Sequence, residues 1–107
     1  MSAWLVLVLA GFFEVAFTTC MKLSEGFSRW PWTAGFVVSA LTSFVLLGRA
    51  TSAGAIPMGT AYAVWTGIGA LGTVLVGIVA FGEPAGAARL ALLLVLVGAV
   101  LGLKMVG

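Results

Sequence analysis

Charged side chains in this sequence gather at a few points and leave four long stretches almost free of them. That spacing restricts the fold more than any other feature. The stretches run from about Trp4 to Met21, Trp32 to Leu47, Met58 to Phe81 and Ala87 to Val106. A helix of 18 to 20 residues, rising about 1.5 Å per residue, is about 27–30 Å long and matches the hydrocarbon core of a bilayer. Only 7% of the 107 residues are charged and 63% are hydrophobic, too little polar surface for a water-soluble domain. The expected fold is all-α and integral to the membrane, with four transmembrane helices forming a single domain over residues 1–107.

The breaks between the stretches carry the signals that end helices. Lys22, Ser24, Glu25, Gly26 and Arg29 close the first, and Arg49 followed by "TSAGAIP" (51–57) closes the second. Gly82, Glu83 and Pro84 stop the third. The fourth is uncharged only between Arg89 and Lys104, but both cations can snorkel outward and let it span. The N-terminal stretch lacks a basic leader and is interrupted by Glu14, so it reads as a retained helix rather than a cleaved signal.

Composition also excludes several classes of function. Histidine is absent and Cys20 is the one cysteine, which argues against a metal centre, a disulfide framework or a Cys/His nucleophile pair. No catalytic residue and no cofactor are expected, and Cys20 reads as a small apolar helix residue. A net charge of +2, scattered along the chain, does not suggest nucleic acid. Four spans would put both termini and the 51–57 linker on one side, with Arg49 and Lys104. Lys22, Arg29 and Arg89 would lie on the other. Orientation normally follows a clear excess of Lys and Arg on cytoplasmic loops, and so even a split predicts weak or dual topology.

Against this background Glu14 stands out. It lies near the middle of the first stretch, inside "FFEVAFTT" (12–19), with no cation in the same run. Placing an acid at a helix centre costs about 2.5–3.5 kcal/mol on insertion scales, and such residues mark ion or proton pathways. One carboxylate there can hold a proton or an organic cation but not both, the minimal chemistry of an antiporter. At helical steps of three and four its face reads Leu7, Ala10, Gly11, Glu14, Phe17, Thr18 and Met21. Ala10 and Gly11 leave room beside the carboxylate, and Thr18 offers a hydroxyl one turn away.

Other candidates lie on the second and third stretches. Ser39 and Ser43 share one helical face. Tyr62 and Trp65 share another, and their rings would suit a cation beside a carboxylate. Interfacial anchoring is the alternative for these aromatics and suits Trp4, Trp30 and Trp32 well. Gly67 and Gly69, with Gly72 close by, predict either a kink or a point of close helix packing. Gly98 and Gly102 form G-x-x-x-G in an apolar helix, a pattern that permits close dimer contact. Four short helices cannot enclose an alternating pathway alone. Two copies inserted in opposite orientations can, with two Glu14 residues face to face between them. On the residues alone, an accessory subunit of a larger membrane complex and an ion channel remain open as other classes of function.

Taken together, Glu14 in the first helix, "MKLSEGFSR" (21–29), "GTAYAVWTGIGA" (59–70), "FGEP" (81–84) and "GLK" (102–104) resemble the small multidrug resistance family of bacterial four-helix transporters. The resemblance covers essentially the whole chain. It implies a multi-pass protein of the bacterial inner membrane, working as an antiparallel dimer that exports cationic compounds in exchange for protons. The implied site is Glu14 with Ser43, Tyr62, Trp65 and Gly11. Gly98 and Gly102 are implied in the fourth-helix dimer contact, and Gly67 and Gly69 in a third-helix kink. The third-helix motif and Lys104 are similar to the guanidinium-exporter branch. "EVAFTTCMKLSEGF" (14–27) looks more like the quaternary-ammonium branch, with Phe17 where the guanidinium branch carries Trp. The 51–57 linker is longer than the family pattern. The expected substrates are therefore guanidinium-type cations, with broad quaternary-ammonium export as the alternative. Homodimers are expected, with unlike pairs of the kind found in the family as the other possibility.

Overall fold

The computed structural model describes residues 2–106. They form four helices, α1 (Ala3–Leu23), α2 (Trp30–Thr51), α3 (Met58–Phe81) and α4 (Ala87–Val106), with a 3-10 turn at Ser52–Gly54. All four are long and apolar enough to cross a membrane. α1 and α2 run beyond the apolar stretches that predict them, because local chemistry sets their ends. Ser2 caps α1, its hydroxyl oxygen accepting from the Leu5 N–H at 3.2 Å. Pro31 sits in the first turn of α2, where its missing N–H costs nothing, so that helix begins at Trp30. α3 ends where Gly82 turns left-handed (φ 65°) and the Glu83 N–H bonds back to the Gly77 carbonyl at 3.1 Å.

α1 lies between α2 and α3, and α4 packs its backbone against α3 alone. The buried cluster joins Leu7 and Ala10 of α1, Ala50 of α2, and Ala61, Val64 and Trp65 of α3. Ile56, in the linker before α3, is 1% exposed and pins that connection to the same cluster. Ser24 organises the α1–α2 turn: its hydroxyl donates to the Met21 carbonyl at 2.7 Å and accepts from the Phe27 N–H at 3.0 Å.

Glycines set the α1–α3 seam. A Cβ on Gly11 would overlap Ile68, one on Gly72 would overlap Val15, and one on Gly69 would overlap the Glu14 carboxylate. Gly67 receives Val100 of α4 in the same way. α3 is a continuous α-helix through this cluster, and its glycines are points of close approach along it. In lipid, small residues at such seams let backbones meet and gain dispersion contacts where the hydrophobic effect offers no drive.

No residue of α4 is buried among those described. Leu92, Leu94, Val95 and Leu101 all face outward, and a Cβ on Gly98 or Gly102 would meet nothing within 4 Å. Lys104, at the end of α4, reaches across to place its ammonium 5.7 Å from the centre of the Trp4 ring.

Candidate functional site

Glu14 sits halfway along α1 on the seam with α3. Its carboxylate occupies the space that a side chain on Gly69 would fill. The residue is half-buried, and Oε1 is enclosed with no hydrogen-bond partner among the described residues. The two ion pairs among the described residues, Glu25 with Arg29 and Glu83 with Arg89, lie elsewhere and leave Glu14 without a cation. An enclosed oxygen with no donor is costly in a low-dielectric setting and rare in native proteins. A group so placed gains from a proton, or from a cation that brings its own donors.

Ser43 and Trp65 form a linked pair on the neighbouring helices. The fully buried Ser43 hydroxyl donates to the Ala10 carbonyl of α1 at 2.7 Å. It accepts from the Trp65 indole N–H at 2.9 Å. One hydroxyl therefore ties α1, α2 and α3 together one turn from Glu14, since Ala10 lies four residues before it. Trp65 is only 8% exposed, whereas Tyr62 is 59% exposed with its ring 5.7 Å from that of Trp65. Trp65 is thus an interior group. Trp30, 79% exposed, lies at the surface, as an interfacial anchor would.

Phe17 stands one turn beyond Glu14 and belongs to a wall of rings. Its centroid lies 5.8 Å from Phe36 and 5.9 Å from Phe44, and Phe44 lies 6.0 Å from Trp65. The wall runs across α1, α2 and α3, and at Phe17 it offers apolar surface with no donor. Thr18 is already engaged. Its hydroxyl lies 3.0 Å from the Val15 carbonyl, to which it donates, and 2.8 Å from the Thr73 hydroxyl, with which it shares a hydrogen bond. No hydrogen bond joins Thr18, Ser43, Tyr62 or Trp65 to Glu14 among the described residues.

The expected residues fall into three groups. Glu14, Gly11 and Gly69 lie on the α1–α3 seam, and Ser43, Trp65 and Phe17 join α2 to its neighbours, with Tyr62 exposed beside Trp65. Gly98 and Gly102 lie away from both, on the open surface of α4, while Gly67 faces α4. Reading the sequence missed Thr73, Phe44 and the Ala10 carbonyl. Thr73 was within reach, since Gly69, Gly72 and Thr73 share one face at helical spacing. The Ala10 carbonyl carries no sequence signal.

The geometry can be set beside known proteins. A family model described as Small Multidrug Resistance protein matches residues 2–96. Over 103 residues the chain is 45% identical to a protein of Yersinia pseudotuberculosis named "Guanidinium exporter", covering 96% of this chain and 97% of that one. It is 44% identical over 103 residues to the "Guanidinium exporter" of Escherichia coli K12, covering 96% of each. Against the "Guanidinium exporter" of Salmonella typhimurium LT2 the identity is 40% over 103 residues, with 96% of each chain covered.

Proposed function

The chain belongs to the small multidrug resistance family of multi-pass bacterial inner-membrane exporters, and we propose from that premise that it exports guanidinium-type cations in exchange for protons. The observation that carries this reading is the Glu14 carboxylate, seated against Gly69 with one oxygen enclosed and unpartnered. Such an oxygen is bound in turn by a proton and by a cationic donor, and each expels the other. A planar guanidinium offers a donor fork that matches a carboxylate bidentately. Three relatives that match nearly the whole chain are named for that substrate.

The working unit is an antiparallel dimer. One copy buries too little to enclose a pathway, and its α4 presents an open face around Gly98 and Gly102. Two copies in opposite orientation bring two Glu14 carboxylates to the centre. Proton and cation then compete for that pair while the dimer opens to one side and the other. Ser43 and Trp65 hold the neighbouring helices in register, and Gly67 and Gly69 let α3 flex as the pathway changes sides. Tyr62 supplies an exposed ring face next to Trp65.

One observation favours a second reading. Phe17, packed with Phe36 and Phe44, makes an apolar wall without a donor, which suits a quaternary ammonium bound through ring faces. A paired heterodimer would combine this chain with an unlike partner of the same fold. Transport by purified protein in liposomes under a proton gradient tests the proposal, comparing guanidinium with a bulky quaternary ammonium. Guanidinium uptake coupled to proton release, lost in Glu14→Gln, is the expected result. Transport of the bulky cation alone would establish the second reading. Conduction without proton exchange would refute both.

A further inference from the structure

The ends of α1 and α3 nearest Lys22 form, with the α3–α4 turn, a cleft of about 330 Å³ that begins one turn beyond Glu14 on the α1–α3 seam and is not lined by Glu14 itself. Its polar lining includes Thr18, Thr73, Lys22, Glu83 and Arg89, and its apolar lining includes Met21, Val74 and Phe81. The polar groups are not equivalent. Arg89 pairs with Glu83 at 3.3 Å and donates to the Pro84 carbonyl at 2.9 Å, so both side chains are occupied in holding the turn. The Glu83 carboxylate also fills the space beside Gly77. The hydroxyls of Thr18 and Thr73 are spent on one another and on the Val15 carbonyl.

Lys22 is what remains. It lies in the last turn of α1, is exposed, and has no ion-pair partner among the described residues. Its ammonium lies 5.1 Å from the centre of the Phe81 ring, which fixes it over the cleft. Two cations against one carboxylate leave the cleft with a net positive charge. That charge sits where two membrane helices end, and the wall below it is apolar. A ligand complementary to both features carries an anionic head and a hydrocarbon tail.

We propose that this cleft binds an anionic phospholipid, with Lys22 as the ligand to its phosphate and one acyl chain lying along Met21 and Val74. Basic clefts between transmembrane helices suit acidic head groups in this way. The carbonyl ends of α1 and α3 oppose an anion here, so binding depends on the formal charge of Lys22. The proposal stands on the cleft alone and is independent of the transport reading.

Native mass spectrometry of the full-length protein tests it, using phosphatidylglycerol, phosphatidylcholine, diacylglycerol and inorganic phosphate as probes. Wild type is expected to retain phosphatidylglycerol over the other three. Lys22→Gln is expected to weaken that retention about fivefold, the worth of one basic residue near an anionic head group. Lys22→Arg keeps the charge and preserves retention. Arg49→Gln removes a cation at the opposite end of the bundle and leaves retention unchanged. Equal losses in Lys22→Gln and Arg49→Gln would overturn the site in favour of diffuse attraction. Displacement of the lipid by inorganic phosphate would overturn the lipid in favour of a free anion. Equal retention of phosphatidylcholine by wild type would overturn the dependence on anionic charge, whether or not the variants fold.

Discussion

Replacing Gly69 with alanine is a sharp probe of the Glu14 seat, because two effects of known sign oppose each other there. Alanine is favoured over glycine in a helix interior by about 1 kcal/mol. At Gly69 the added methyl would overlap the Glu14 carboxylate, and the Oε1 atom it would displace is enclosed. Overpacking of this kind costs roughly 1–3 kcal/mol. The sum is a protein between unchanged and about 2 kcal/mol less stable, with the carboxylate pushed from its seat. Gly48 and Gly59 supply the comparison, since a Cβ on either meets nothing within 4 Å. Alanine at those positions keeps only the propensity gain, so Gly69→Ala is expected to fall below them by roughly 1–3 kcal/mol. Unfolding in mixed micelles at fixed protein concentration, followed by tryptophan fluorescence, measures the difference. Cation affinity, from equilibrium binding, is expected to drop at least tenfold in Gly69→Ala and to hold in both controls, as about 1.4 kcal/mol corresponds to tenfold. If Gly69→Ala gained stability like the controls and bound cations normally, the carboxylate seat would be wrong.

Ser43→Ala strands the Trp65 indole N–H in the interior, and Trp65→Phe removes that donor. A double-mutant cycle in mixed micelles is expected to return a coupling of about 0.6–1.7 kcal/mol, the range for hydrogen bonds between membrane helices. A coupling near zero would mean the bond of 2.9 Å does not hold α2 to α3. Gly98→Ile with Gly102→Ile places bulk on the open face of α4, where an added Cβ meets nothing within 4 Å. Cross-linking in membranes is expected to show fewer dimers, with the helical content of the monomer unchanged by circular dichroism. Phe17→Trp introduces an indole donor beside Phe36 and Phe44. Competition transport is expected to shift toward guanidinium and away from bulky quaternary ammonium, and an unchanged ratio would remove Phe17 from substrate choice.

The number of helices was legible in the sequence, and so was the exceptional standing of Glu14. Both follow from the cost of polar groups in hydrocarbon: a chain this apolar must satisfy its backbone within helices, and a carboxylate in mid-helix is expensive to place there. The start of α2 was less legible, since Pro31 extends the helix past the hydropathy edge to Trp30. The roles of Ser43 and Trp65 were only half visible. Their residue types suggested a polar site, but not that one hydroxyl would accept from the indole while donating to the Ala10 carbonyl.

What the tertiary structure alone decided is which faces meet. In a soluble helix the apolar stripe marks the buried side, but in lipid both the packed face and the exposed face are apolar, so hydropathy does not tell them apart. Leu92 and Leu94, exposed on α4, look no different in the sequence from Leu7, wholly buried on α1. The distinction comes from shape: Gly69 receives Glu14, Gly11 receives Ile68 and Gly67 receives Val100, while Gly98 and Gly102 receive nothing among the described residues. Fifteen glycines are written in the sequence, and only the approach of one helix to another shows which of them hold a neighbour.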